Sequence, residues 1–227
     1  MHGFPLGSNG SLKSHNLNTP KKLDSLRIEK LENVLDPPSG SPLKKFELKD
    51  LELCYSNAPT TTSGENLDKE MRVLNEFCPH KRLISLKIEN YTGRQYPLWI
   101  SRHDALLNLQ RLHLRSCSLC DKLPQLGNLP QLKFLSVTGF AKLEKVGAEL
   151  RGDRGTKPAF CRLQQLHVGN MKALQKWSAL QPQDLPCLQV LRLLSCSKLA
   201  MIPDTLQTST SLTRLEVDTT TMILMKG

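Results

Sequence analysis

Leu109, Leu112 and Leu114 set an apolar-x-x-apolar-x-apolar pattern, and Leu132, Leu135 and Val137 repeat it 23 residues later. The leucines of the first run alternate with Arg111, His113 and Arg115. A period of two predicts a short strand with one apolar face and one polar face. The same spacing recurs at Leu23-Leu26-Ile28, Leu43-Phe46-Leu48, Leu83-Leu86-Ile88, Leu163-Leu166-Val168, Leu188-Leu191-Leu193 and Leu212-Leu215-Val217. That makes eight predicted strands, with starts 20, 40, 26, 23, 31, 25 and 24 residues apart.

Self-similarity at this period is the mark of a leucine-rich repeat, in which one turn cannot bury its own apolar face and stacked neighbours bury it together. The expected fold is α/β: an irregular leucine-rich-repeat solenoid, a curved horseshoe with a parallel β-sheet on its concave face and loops or short helices on its convex face. The ninth position of the first seven repeats supports the register, being Leu31, Leu51, Tyr91, Cys117, Phe140, Met171 and Cys196. Three residues later come Val34, Cys54, Cys120, Leu143, Leu174 and Leu199, with Arg94 as the exception. Leu123, Val146, Trp177 and Ile202 extend the ladder beyond the strand.

Between the second and third strands, residues 56–65 are a polar interruption, and Leu67, Met71, Leu74 and Phe77 recur at helical spacing within residues 66–78. Residues 142–159 are charged, contain Gly, and read as a loop. The domain reading is an irregular leader at 1–20, a repeat domain of about eight units at 21–221 and a tail at 222–227. Met222, Ile223, Leu224 and Met225 do not form the polar cap that a solenoid end needs, so a fragment of a longer array is expected.

Aromatic residues make up 5% of the 227-residue chain, so leucine carries the core. No window approaches the 18 apolar residues of a membrane span, and the opening MHGFPLGSNGSLKSHN has no apolar run for a signal peptide, which predicts a protein of the cytoplasm or nucleus. Seven cysteines without an export signal favour reduced thiols. The glycosylation patterns at Asn9 and Asn90 need a secretory route that the sequence does not offer. The formal charge of +10 is uneven: residues 114–227 hold 15 Lys or Arg against 8 Asp or Glu, while residues 1–113 hold 16 against 13. Such an excess fits an acidic partner, a nucleic acid or a solvated surface.

Cys117-Ser118-Leu119-Cys120 has the spacing of half a metal site, but no second half follows and both cysteines fall on buried ladder positions. His103-Asp104 and Cys78-Pro79-His80 stand without a nucleophile motif or a third ligand. No phosphate-cradling glycine motif is present. The reading is a non-enzyme with no catalytic residue, no metal and no cofactor.

What remains is the outward face of the strands. On or beside it lie Arg27, Lys44, Lys45, Lys49, Lys87, Arg111, His113, Arg115, Lys133, Phe134, Gln164, His167, Arg192 and Arg214. The three central strands carry Arg111, Arg115 and Lys133 and no acid, with acids only in strands nearer the ends. The expectation is a protein-binding face made of Arg111, His113, Arg115, Lys133, Phe134, Gln164, His167, Arg192 and Arg214, whose basic centre docks an acidic surface around Phe134 as an apolar anchor.

The run PHKRLISLKI from Pro79 to Ile88, followed by YTGRQYPLW from Tyr91 to Trp99, resembles the leucine-rich-repeat part of plant intracellular immune receptors of the nucleotide-binding, coiled-coil class. CSLCDKLPQLGNLPQLK from Cys117 to Lys133 is similar to the same family's C-x-x-C-x-x-L-P-x-L-G-x-L-P-x-L-K segment. Ala159 to Leu163, Met171 to Trp177, Leu185 to Leu188 and Cys196 to Pro203 follow in the same order, and Gly3-Phe4-Pro5 resembles a segment before such repeats. The resemblance implies recognition of a pathogen effector or a guarded host protein, or restraint of the nucleotide-binding module of a related receptor. This chain lacks that module and the coiled coil. The implied role is a sensor or regulatory module, with a non-functional receptor fragment as the other reading. A basic nucleic-acid-binding solenoid is disfavoured, because only Phe134 offers a stacking platform beside the basic strip. A substrate adaptor for ubiquitin transfer would need a helical module that the sequence lacks.

Overall fold

The computed structural model describes residues 23–35, 39–56, 64–102, 104–152, 158–177, 181, 183–202, 206 and 209–221. In chain order the elements are β1 (Ser25–Ile28), β2 (Asp50–Cys54), α1 (Gly64–Glu76), β3 (Ser85–Glu89), β4 (Arg111–Arg115), β5 (Phe134–Thr138), β6 (Lys145–Val146), α2 (Ala148–Arg151), β7 (Gln165–Gly169), β8 (Lys176–Trp177), β9 (Val190–Leu194) and β10 (Arg214–Val217). Four short 3-10 turns lie between them. The leader at 1–20, the tail at 222–227 and His103 lie outside the described residues.

Eight of these strands form one parallel sheet in the order β1-β2-β3-β4-β5-β7-β9-β10. Its register aligns one apolar row, Leu26, Leu51, Leu86, Leu112, Leu135, Leu166, Leu191 and Leu215, and a second row, Ile28, Leu53, Ile88, Leu114, Val137, Val168, Leu193 and Val217. The first row is buried from Leu26 to Leu191, whereas Leu215 on the edge strand is 37% exposed. The β1 edge is thus covered, at 8% for Leu26, while the β10 edge is left partly open, and the rows between are sealed by their stacked neighbours.

Seven of the eight strands lie where the leucine spacing predicts, and the second does not. Residues 43–48 were expected to be strand; instead Pro42–Lys45 is a 3-10 turn and β2 uses Leu48, Leu51 and Leu53. Leu48 serves both as the end of one apolar-x-x-apolar-x-apolar run and as the start of another. Pro42 at the head of the turn has no N–H to give and a fixed φ, which suits a turn entry and not a central strand. With the later run, the first spacings become 25 and 35 residues. The ninth position of the second repeat is then Ser56, not Leu51. Its backbone N–H donates to Glu32 Oε2 at 3.0 Å, and its hydroxyl donates to the other carboxylate oxygen.

Six of the eight strands, all but β2 and β10, leave the sheet through a left-handed residue one place before the ninth position. These are Lys30, Asn90, Ser116, Gly139, Asn170 and Ser195, with φ between 51° and 76°. Their N–H groups reach across to the end of the next strand: Asn90 to Arg115 O at 2.9 Å, Ser116 to Thr138 O at 2.8 Å, Gly139 to Gly169 O at 2.9 Å and Asn170 to Leu194 O at 2.8 Å. At Gly139 a Cβ would stand 3.0 Å from Ser116 Cα, so close backbone approach as well as φ favours glycine. Beyond the last full rung, Asp218 completes the ladder with its side chain, accepting from Ser195 N at 2.6 Å, Thr221 N at 3.0 Å and Thr221 Oγ1 at 2.6 Å.

Within the expected loop at 142–159, residues 145–146 and 148–151 hold regular structure. β6 pairs with β8, setting Val146 against Trp177, and α2 follows with Leu150 buried. The returning limbs of the repeats stack as the strands do, so their apolar positions also find partners. Behind them Asp184, fully buried, accepts from Arg151 Nε at 3.0 Å, Ala159 N at 2.9 Å and Gln181 N at 2.7 Å.

α1 lies two residues earlier at each end than the helix that spacing predicts. Its buried face is Glu70, Val73, Leu74 and Phe77, while Met71 is 37% exposed. The indole N–H of Trp99 donates to Leu74 O at 3.2 Å and ties the helix to the following repeat.

Candidate functional site

The residues that alternate with the leucines form the open face of the sheet in three rows. The first is Ser25, Asp50, Ser85, Arg111, Phe134, Gln165, Val190 and Arg214; the second is Arg27, Glu52, Lys87, His113, Ser136, His167, Arg192 and Glu216. Cys54, Glu89, Arg115, Thr138, Gly169 and Leu194 make the third.

At the β1 to β3 end the charges bind one another. Arg27 reaches Glu29 at 2.7 Å and Glu52 at 2.8 Å, and Lys87 reaches Glu89 at 2.7 Å and Glu52 at 3.7 Å. Arg111 crosses β3 to Asp50 at 3.1 Å. The hydrogen bond from Lys87 holds the Glu89 carboxyl below its ordinary range. At the other end Glu216 receives both Arg192, at 2.6 Å, and Arg214, at 2.5 Å, and the Arg192 bond lowers its pKa. These pairs are partly to half exposed, so they neutralise charge more than they stabilise the fold.

The centre is different. The rings of His113 and Phe134 lie with centroids 4.8 Å apart, and Ser136 Oγ lies 3.4 Å from His167 Nδ1. Burial, then Arg115, Lys87 and Arg111, lowers the His113 pKa; burial, then Arg192 and Arg115, lowers that of His167. Both imidazoles are therefore neutral at physiological pH. Beside them, exposed Arg115 makes no ion pair within 4.0 Å among the described residues. Gly169 in the third row is buried here under its neighbours: a Cβ would stand 3.1 Å from His167 Nε2 and 3.2 Å from Leu194 O.

Of the residues expected on this face, Arg111, His113, Arg115, Phe134, His167, Arg192 and Arg214 are on it. Lys133 and Gln164 are not: each is the residue before its strand, on a rim row where Lys133 N donates to Gln110 O at 2.9 Å and Gln164 N to Lys133 O at 2.8 Å. Lys44 and Lys45 are exposed in the 3-10 turn before β2. The face also carries Ser136, Thr138, Gln165 and Gly169, which strict alternation around Leu135 and Leu166 would have supplied. The acid facing Arg111 was hidden by the second-strand register, which left Asp50 outside a strand.

Other chemistry is absent from the described residues. No group of three or more His, Cys, Asp or Glu there could hold a metal. Cys117 and Cys120 are fully buried; burial pushes the Cys117 thiol up to about 12 and raises Cys120 as well, and Cys120 Sγ donates to Gly93 O at 3.1 Å. They are core thiols. His80 Nδ1 accepts from Arg82 N at 3.3 Å, and burial raises the Cys78 pKa. Among the described residues no helix is long and apolar enough to cross a membrane.

Residues 14–140 match the family of R13L1/DRL21 leucine-rich repeats. The chain is 29% identical over 192 residues to a disease resistance RPP13-like protein 1 of Arabidopsis thaliana, covering 78% of this chain and 18% of that protein. It is 28% identical over 182 residues to the disease resistance protein RGA2 of Solanum bulbocastanum, covering 77% of this chain and 18% of that protein. The chain thus spans less than a fifth of the length of these relatives.

Proposed function

The chain belongs to the R13L1/DRL21 leucine-rich-repeat family, and from that premise we propose that it is a protein-recognition module of plant defence. Its binding surface is the centre of the open face, on β4, β5 and β7. The observation that carries this reading is the uneven use of charge: cations at both ends of the face are tied to acids, while Arg115, near His113 and His167 and two rows along from Phe134, is tied to none among the described residues. An unengaged guanidinium on the same open face as an accessible aromatic ring is the composition of an interface hot spot.

The partner is a protein: a pathogen effector, a guarded host protein or the nucleotide-binding module of a related receptor. The module works in the cytoplasm or nucleus. Affinity capture from leaf extract with the tagged chain tests the proposal, against an Arg115→Glu variant and the triple variant Arg111→Glu, Arg115→Glu and Lys133→Glu. Loss of a specific protein in both variants supports it. A partner set unchanged by Arg115→Glu removes it.

A further inference from the structure

Resting on that reading of the face, we infer that its centre takes an extended segment of the partner running alongside the strands, with an apolar side chain against Phe134 and a carboxylate, four residues away, on Arg115. Phe134 opens the first row of β5, His113, Ser136 and His167 form the second row, and Arg115 lies in the third row on β4. Successive rows are two residues apart, about 7 Å, and neighbouring strands about 4.8 Å apart. An extended peptide repeats its side chains on one face at the same two-residue interval. Its first, third and fifth side chains therefore meet the three rows in step.

The chemistry of each row selects what meets it. Phe134 is half-buried and braced by the His113 ring, so it offers a rigid apolar surface. The middle row presents two neutral imidazoles, His167 resting on the buried Ser136 hydroxyl, and they exchange hydrogen bonds with a small polar side chain. Arg115 supplies a planar fork for a carboxylate. Toward β1 the cations are already tied to Glu89, Asp50 and Glu52, so a carboxylate finds its unengaged partner only on Arg115, which places the segment over β4 to β7. A polyanion such as nucleic acid fits less well, because the flanking cations are already neutralised and the imidazoles carry no charge.

The test uses the full chain and two biotinylated nonapeptides of identical composition in a Ser/Thr background, displayed densely on streptavidin. One carries Tyr and Glu four residues apart; the other carries them five apart, on opposite faces of an extended chain. Biolayer interferometry is expected to give roughly fivefold tighter retention of the first, equivalent to about 1 kcal/mol. Arg115→Ala or Phe134→Ala should erase the difference, while Arg214→Ala preserves it. Equal retention of the two peptides, retention of neither, or a difference that survives both central substitutions overturns the inference. The recognition surface itself would still stand if Arg115→Glu removed a captured protein from leaf extract while the peptides behaved alike.

Discussion

Arg111 Nη2 donates to Asp50 Oδ1 at 3.1 Å, although the two residues lie on β4 and β2 with β3 between them. The bond spans two strand spacings across the open face, over the small Ser85 that separates them in the row. It removes from the central strip one of the cations that the sequence placed there, and leaves Arg115 as the unengaged one.

Asp50→Asn should release Arg111 and widen the basic centre. Both partners are nearly half exposed, at 47% and 46%, so thermal stability should change by no more than about 0.5 kcal/mol. Retention on an immobilised polyglutamate surface should rise relative to the parent chain. A large loss of stability with no gain in retention would contradict the assignment of Asp50 as a neutralising residue.

Glu70 makes α1 sensitive to pH. Its Oε2 is buried with no partner among the described residues, and desolvation first, with Glu32 adding repulsion, lifts its pKa from 4.5 to about 7. A raised acid contributes full stability below 4.5 and loses it as pH rises through about 7. The loss from this group should be about 3 kcal/mol. Glu70→Gln should flatten that part of the stability curve in urea titrations from pH 4.5 to 8. An unchanged slope would exclude Glu70 as its source.

Asp218 works in the opposite direction. Its hydrogen bonds from Thr221, then Thr220 and Ser195, hold its pKa down from 3.8 to about 2. Its contribution is therefore complete above 3.8 and lost as pH falls through about 2. Asp218→Ala should loosen β10 first, read as faster amide exchange at Ser195 and Thr221 at neutral pH while β4 and β5 stay protected. Uniform acceleration across the sheet would show that Asp218 does not act as a local cap.

The two central histidines predict a pH-dependent partner affinity. Burial lowers both below 6.5, so they are neutral at physiological pH and gain charge only as pH falls further. The same shift makes the native state lose stability as pH drops from 6.5 through the lowered values. Binding of an acidic partner should strengthen over that interval, and His113→Gln with His167→Gln should remove the dependence. A profile that survives both substitutions would assign it to another group.

The eight-strand sheet was legible in the sequence because a period of two inside a longer repeat leaves few alternatives for Leu112 or Leu166. β2 was not, since Leu48 belongs to two overlapping runs and only pairing with β1 separates them. The same overlap concealed Asp50. Glu70 was unreadable for a different reason: helical spacing selects apolar positions, and here a carboxyl occupies the buried stripe beside Val73. Asp184 likewise looks like a surface acid until Arg151 and two backbone N–H groups converge on it. Short-range patterns report which face a residue occupies, whereas neutralisation and burial of charge depend on partners 25 to 61 residues away.

The recognition surface is tested most directly by a photo-crosslinking amino acid, p-benzoylphenylalanine, placed at Phe134 in one version of the chain and at Leu98 in another. Leu98 is 79% exposed but lies on a 3-10 turn away from the sheet's open face. Irradiation in leaf extract should join a discrete protein partner to the chain through position 134, with no such product from position 98. The same products from both positions, or a product from 98 alone, would contradict recognition through the centre of the sheet.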